Sequence, residues 1–199
     1  MDYAFLDLET TGLVPWYHEI TEIAIKRGSL IFVKKIKPER MDRADSYALK
    51  VSGYNKKVWE EEAVPFSSVA NEIVSLLKNV IIVGHNVNFD INFLKFAFYK
   101  LSDKEGKKNP KLWEKEKISL YTIDTMSLAL EHLRPHGQKS VSLKNVCNVL
   151  GISNEGEHTA YADVLRTEQV FYRLLRSTPE DHEELKLLVE QNSKRKNWR

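Results

Sequence analysis

Three strand-like segments follow one another within residues 3–36, before any helical period appears, and this order constrains the fold more than any other feature of the chain. Tyr3 to Leu8 reads as a strand that ends in a turn near Thr11-Gly12, and Ile20 to Lys26 and Leu30 to Ile36 form a hairpin through Gly28-Ser29. Residues Ala44 to Val58 are mixed and predict short helical turns. Phe66, Val69, Ala70, Ile73, Val74 and Leu77 then mark one helix face, and Val80 to Val83 is a continuous apolar run suited to a strand buried on both faces. A further helix carries Phe89, Phe93, Ala97 and Leu101 on one stripe, and Leu120 to Ile123 reads as a last strand. Helices are expected at Thr125 to Leu133, Ser142 to Leu150, Ala160 to Leu175 and Pro179 to Gln191, the last started by Thr178 with Pro179, Glu180 and Asp181 behind it. Strands first, then alternation with helices, predicts an α/β sheet covered on both faces.

Size and composition bound the function less tightly. At 199 residues one sizeable core is expected. With 42% apolar and 29% charged residues, the chain is an ordinary globular one rather than disordered or coiled-coil. No apolar stretch approaches a membrane span, and no basic segment followed by an apolar run opens the chain. A lone cysteine, Cys147, sits in an apolar run and reads as a buried helix thiol. A cytoplasmic, non-membrane protein is expected. The net charge of +2 argues neither for nor against nucleic acid. Lysines 104, 107, 108, 111, 115 and 117 and the terminal Lys194, Arg195, Lys196 and Arg199 could touch phosphates, but a solvated loop and a frayed tail explain them as well.

The chemistry lies in three separated segments. Strand alternation puts Asp7 and Glu9 of Phe5-Leu6-Asp7-Leu8-Glu9-Thr10-Thr11-Gly12 on one face, where they repel each other unless a cation lies between them. Alone, such a pair is more often a solvated strand edge. In Gly84-His85-Asn86-Val87-Asn88-Phe89-Asp90 a buried strand runs into a helix, and Asp90 lies beside the stripe of Phe89, Phe93 and Leu94. A helix cap accounts for Asn86 or Asn88 but not for an acid next to a core face. His158-Thr159-Ala160-Tyr161-Ala162-Asp163 opens a helix that packs through Ala160, Val164, Phe171 and Leu174, with Asp163 flanking that stripe. Taken alone, His158 carries little weight.

Together these segments resemble the DEDD exonuclease superfamily in its histidine-bearing branch, which includes bacterial replicative proofreading subunits and their stand-alone relatives. The likeness runs from Ala4 to Leu175 and rests on Asp7-Leu8-Glu9-Thr10-Thr11-Gly12-Leu13, on Gly84-His85-Asn86 with Phe89-Asp90, and on His158 with Ala160 and Asp163. Ile123-Asp124-Thr125 and Ser142-Leu143 add lesser landmarks. The resemblance implies a ribonuclease H-like mixed sheet, its first three strands antiparallel, flanked by helices. Residues 1–176 are then the exonuclease domain, with 177–199 a C-terminal helix and basic tail packed on it or extending from it. It also implies a 3′→5′ exonuclease that releases nucleoside 5′-monophosphates from DNA ends. Four carboxylates, Asp7, Glu9, Asp90 and Asp163, would share one cleft, and two divalent cations would neutralise them. Hard oxygen ligands favour Mg²⁺ or Mn²⁺ over zinc, and no Cys/His set competes. By the family's pattern Asp7 bridges both ions, Glu9 and Asp163 hold the one carrying the attacking water, Asp90 supports the other, and His158 takes the water's proton. Thr10, Thr11, Gly12 and Leu13 would line the slot for the terminal nucleotide, with Leu13 against a base, and His85 and Asn86 fall at further substrate positions.

The chain also departs from the pattern. Lys50-Val51-Ser52-Gly53-Tyr54 stands where relatives often carry a His-Gly-Ile-like turn, and Ser102 to Lys117 is longer than expected. Both put strand preference in doubt, not the metal chemistry. About two dozen residues follow the last core helix, a length that favours a stand-alone nuclease over a tethered proofreading subunit, although a polymerase partner stays open. The expected partner is the 3′ end of single-stranded DNA. RNA trimming is the alternative, since the same acids serve RNA-specific relatives; those usually differ at the position of Thr10, which tilts the reading to DNA. A non-catalytic binding module would be expected to lack an acid or the histidine, and an interaction protein acting through its basic tail leaves the clustered acids unexplained.

Overall fold

The structure, a computed structural model, describes residues 2–104, 118–156, 159–175 and 181–196. Five strands form one mixed sheet: β1 (Asp2–Thr10), β2 (Ile20–Arg27), β3 (Leu30–Lys35), β4 (Val80–Gly84) and β5 (Thr122–Asp124), in the order β3-β2-β1-β4-β5. β1, β2 and β3 pair antiparallel, whereas β4 joins β1 and β5 joins β4 in parallel. This is the ribonuclease H-like class expected from the order of elements. Gly28, at φ 59°, supplies the left-handed residue that the β2–β3 hairpin needs.

Eight α-helices are described: α1 (Ser46–Val51), α2 (Lys56–Glu62), α3 (Phe66–Leu77), α4 (Val87–Lys104), α5 (Thr125–Leu133), α6 (Leu143–Leu150), α7 (Ala160–Leu175) and α8 (Asp181–Lys196). Each starts or stops for a local reason. Asp45, Asn55 and Asp124 accept backbone N–H bonds at the starts of α1, α2 and α5, and Gly151, at φ 69°, ends α6. The last strand is shorter and later than its apolar run suggested, because only 122–124 pair with β4. The Thr178-Pro179 start expected for the last helix lies outside the described residues; of the lysine-rich loop expected from Ser102 to Lys117, 102–104 instead continue α4 and 105–117 lie outside the described residues.

Strand alternation sorts the core into two layers. Ala4, Leu6 and Leu8 of β1 face α3 and α4, joining Ile73, Leu77, Phe93 and Leu94. Tyr3 and Phe5 face α7 and meet Phe171, Val164 and Ala160. Behind α7, α8 buries Leu185 and Val189 against Ala129, Leu133, Val146 and Val149 of α5 and α6. Cys147 is buried in α6, as its apolar setting predicted. Among the described residues no helix is long and apolar enough to cross a membrane.

Candidate active site

Beyond Phe5, the α7-facing side of β1 continues into Asp7 and Glu9. α7 brings Asp163 to the same place, so that ligand oxygens of Asp7, Glu9 and Asp163 all lie within 4.8 Å of one another. Asp90 arrives from the other side. It sits in the first turn of α4, is buried, and accepts a hydrogen bond from the Leu8 backbone N–H at 3.0 Å. That bond explains an acid beside a core face: its carboxylate is pinned to the strand that carries the other two.

Electrostatics define the site more sharply than shape. Burial, then the charges of Asp90, Asp163, Glu9 and Glu22, hold the Asp7 carboxyl well above the usual carboxylate range. Burial, then Asp163 and Glu22, push Glu9 up to about 8. Asp90 is raised as well, chiefly by burial, against the lowering effect of its hydrogen bonds to backbone. Groups that resist losing protons in this way form a site that favours positive charge. Hard carboxylate oxygens at this spacing suit Mg²⁺ or Mn²⁺. By contrast, a groove of about 350 Å³ between β2, α3 and α4, lined by Ile20, Phe66, Phe93 and Phe96, includes none of these acids.

Glu22 is the residue that the sequence reading missed. It lies opposite Glu9 in the β1–β2 ladder, and its carboxylate accepts the Ala160 N–H at 3.0 Å, capping the start of α7. The positive end of that helix offsets the repulsion between two facing acids. Its place between Thr21 and Ile23 shows which way it points, but only the strand register shows what it faces. Arg166, almost fully buried, was missed too: it donates to Asp163 and to the carbonyls of Ser153 and Glu155. It thereby ties the 153–155 segment to Asp163, one turn before it on α7.

The remaining expected site residues take varied places. His158 lies outside the described residues, directly before the Thr159 whose carbonyl accepts the Asp163 N–H. Thr10 and Thr11 are buried, and their hydroxyls serve the loop: Thr10 donates to the Gly12 carbonyl at 2.6 Å, and Thr11 accepts from the Glu19 N–H at 2.9 Å. Gly12 has no room for a side chain, since a Cβ there would fall 2.4 Å from the His18 ring. Leu13 alone of the four is exposed. His85 bonds through Nε2 to the Val141 carbonyl at 2.8 Å and through Nδ1 to the Thr125 hydroxyl at 2.9 Å. The carbonyl can only accept, so Nε2 donates, and burial lowers the ring's proton affinity. Asn86 is exposed in a left-handed conformation, φ 67°, with its N–H held by Asp124 at 2.7 Å.

The fold and the acids define a nuclease-like class: a ribonuclease H-like sheet with carboxylates gathered where its central strand ends. Residues 4–171 match the family model described as exonuclease, and the chain belongs to that family. It is 33% identical over 179 residues to a DNA polymerase III of PolC type from Thermotoga petrophila, a match that covers 87% of this chain and 12% of that protein. It is 31% identical over 104 residues to the 3′-5′ exonuclease DinG of Bacillus subtilis, covering 49% of this chain and 11% of that protein. The chain thus spans about an eighth of the length of the PolC-type relatives it matches. Escherichia coli exonuclease I in complex with a dT13 oligonucleotide shares its fold, at 22% identity and TM-score 0.70, over 87% of this chain and 40% of that one.

Proposed function

We propose that the protein is a metal-dependent 3′→5′ exonuclease that removes nucleotides from the end of a DNA strand. The convergence of Asp7, Glu9 and Asp163 oxygens within 4.8 Å, with Asp90 bonded to the same strand, carries the reading. The family supports strand-end hydrolysis; the 3′→5′ direction agrees with the DinG relative, and the choice of DNA with the PolC-type relatives and with exonuclease I bound to dT13. Asp7, Glu9 and Asp163 would hold one divalent cation, and Asp7 with Asp90 a second; when bound, the ions neutralise the acids and polarise the scissile phosphate. His158 would take the proton of the attacking water, and Arg166 would hold Asp163 in place through that turnover. Water oxygen joins phosphorus, the bond to the 3′ oxygen of the preceding nucleotide breaks, and a nucleoside 5′-monophosphate leaves a strand shortened by one.

The test is incubation with 5′-labelled single-stranded DNA and RNA in Mg²⁺, Mn²⁺ or EDTA. A descending ladder on DNA that EDTA stops is the expected result. Full activity in EDTA, or cutting of closed circular strands, would overturn the reading, and a ladder on RNA alone would move the substrate to RNA.

A further inference from the structure

Directly after Gly12, the loop that follows β1 turns its largest side chains outward: Leu13 is 77%, Trp16 68% and Tyr17 47% exposed. A single exposed apolar residue needs no reason, but three within residues 13–17 do. The loop is not slack. The N–H groups of Tyr17 and His18 donate to the Val14 carbonyl at 3.0 and 2.8 Å, and the Val14 N–H donates to His18 Nδ1 at 3.0 Å. The His18 ring lies against Gly12, and Thr11 and Glu19 close the base of the loop with backbone and hydroxyl bonds of 2.8 and 2.9 Å. A second segment braces it: the Asp45 N–H donates to the Thr11 carbonyl at 2.8 Å, and the Arg43 guanidinium lies 5.1 Å over the Tyr17 ring. A pinned loop therefore presents aromatic faces and a cation beside the end of the acid-bearing strand.

We propose that Trp16 and Tyr17, with Arg43 beside them, form a stacking platform for the nucleotides that lead up to the terminal one. The proposal rests on the exonuclease reading above. Every base has a π face, so aromatic stacking holds a strand without regard to its sequence, as an enzyme that consumes any strand requires. A guanidinium next to the platform matches the backbone phosphates between successive bases. Because the loop is already ordered, binding costs little further entropy there. Its continuity with Thr10 to Leu13 sets the platform next to the slot proposed above for the terminal nucleotide. Charge favours one occupant: a polyanion complements Arg43, whereas an apolar protein surface makes no use of its charge.

The experiment compares kcat/KM on an oligothymidylate of about twelve nucleotides with that on a thymidine dinucleotide, in Mn²⁺. Trp16→Ala should lower the ratio of long to short substrate at least about fivefold, mostly through KM, the yield of one lost stacked base. Trp16→Phe should restore most of it, and Tyr17→Leu should lower it less. In an Asp7→Asn background, which leaves the strand uncut, Trp16→Ala should weaken binding of the labelled long strand by a similar factor. An unmoved ratio and unmoved binding would overturn the platform, and so would an equal loss on both substrates, which would make the loop a brace for the catalytic slot. A wild-type protein that cuts neither substrate would instead overturn the reading of DNA as substrate, on which the platform rests.

Discussion

One face of β1 carries two neighbourhoods that differ in kind. At its start Tyr3 and Phe5 meet the edge of Phe171, with centroids 4.8 and 5.5 Å apart, and Val83, Ala24 and Val164 close around them. Two and four residues further along the same face stand Asp7 and Glu9, about 7 Å per step of two. α7 supplies both ends, with Phe171 at the apolar one and Asp163 at the acidic one. The first neighbourhood stabilises by removing apolar surface from water. The second destabilises the metal-free fold, because burial and mutual repulsion disfavour the ionised acids. The fold thus sets mutually repelling acids directly beside a buried aromatic cluster on the same strand face.

Substitutions at the two ends should therefore have opposite signatures. The largest effect is expected from Asp7→Asn: cleavage falls about a thousandfold or more, the worth of several kcal/mol of metal-borne stabilisation. Yet the melting temperature in EDTA should stay level or rise, and the upward shift that Mn²⁺ gives the wild type should shrink. An apo variant melting well below wild type would show Asp7 to be a structural partner and erase the contrast. At the apolar end, Phe171→Ala should cost about 3–5 kcal/mol in urea unfolding, while the protein that stays folded keeps its metal requirement. Loss of cleavage without loss of stability would reverse the roles assigned to the two ends.

His158→Ala sharpens the acid end alone. Turnover should fall on the order of a hundredfold, and the pH–rate profile should lose its limb near neutrality, with strand binding little changed. Wild-type turnover would remove His158 from the mechanism. The smallest effect concerns pH. Glu9 in the folded chain titrates near 8 rather than at its ordinary 4.5, so the unfolded chain releases its proton first. The Glu9 contribution is fully present below about pH 4.5 and is lost as pH rises through 8. Melting in EDTA should decline across that window by a few degrees, and Mn²⁺ should flatten the slope. A metal-free melting temperature that climbs from pH 5 to pH 8 would contradict the raised acid.

Much of this is legible in the order of residues. The α3 stripe, the β2–β3 hairpin and the α5 boundaries agree with the residue pattern, because helical period and turn chemistry act over a few neighbours. Asp7 and Glu9 could be put on one face from alternation alone, and Asp90 stood out as an acid beside a core stripe. Glu22 and Arg166 were not legible. A glutamate in a strand that alternates with isoleucine reads as a solvated position until the ladder sets it opposite Glu9 and under the Ala160 N–H. The roles of Thr10, Thr11 and His85 were also indistinct, since a hydroxyl or imidazole aimed at a ligand looks the same in sequence as one bonded within its own loop.

By itself, then, the sequence determined which side chains could face together, because strand alternation and helical period are set by neighbouring backbone geometry. It also determined which residue types could hold a hard cation. Only the tertiary structure decided which acids meet, how far each is pushed from its ordinary titration range, and which aromatic residues stay in water. Those depend on register and on the packing of α4 and α7 against β1, and electrostatic energy depends on distance and burial, which segments far apart in the chain acquire only on folding.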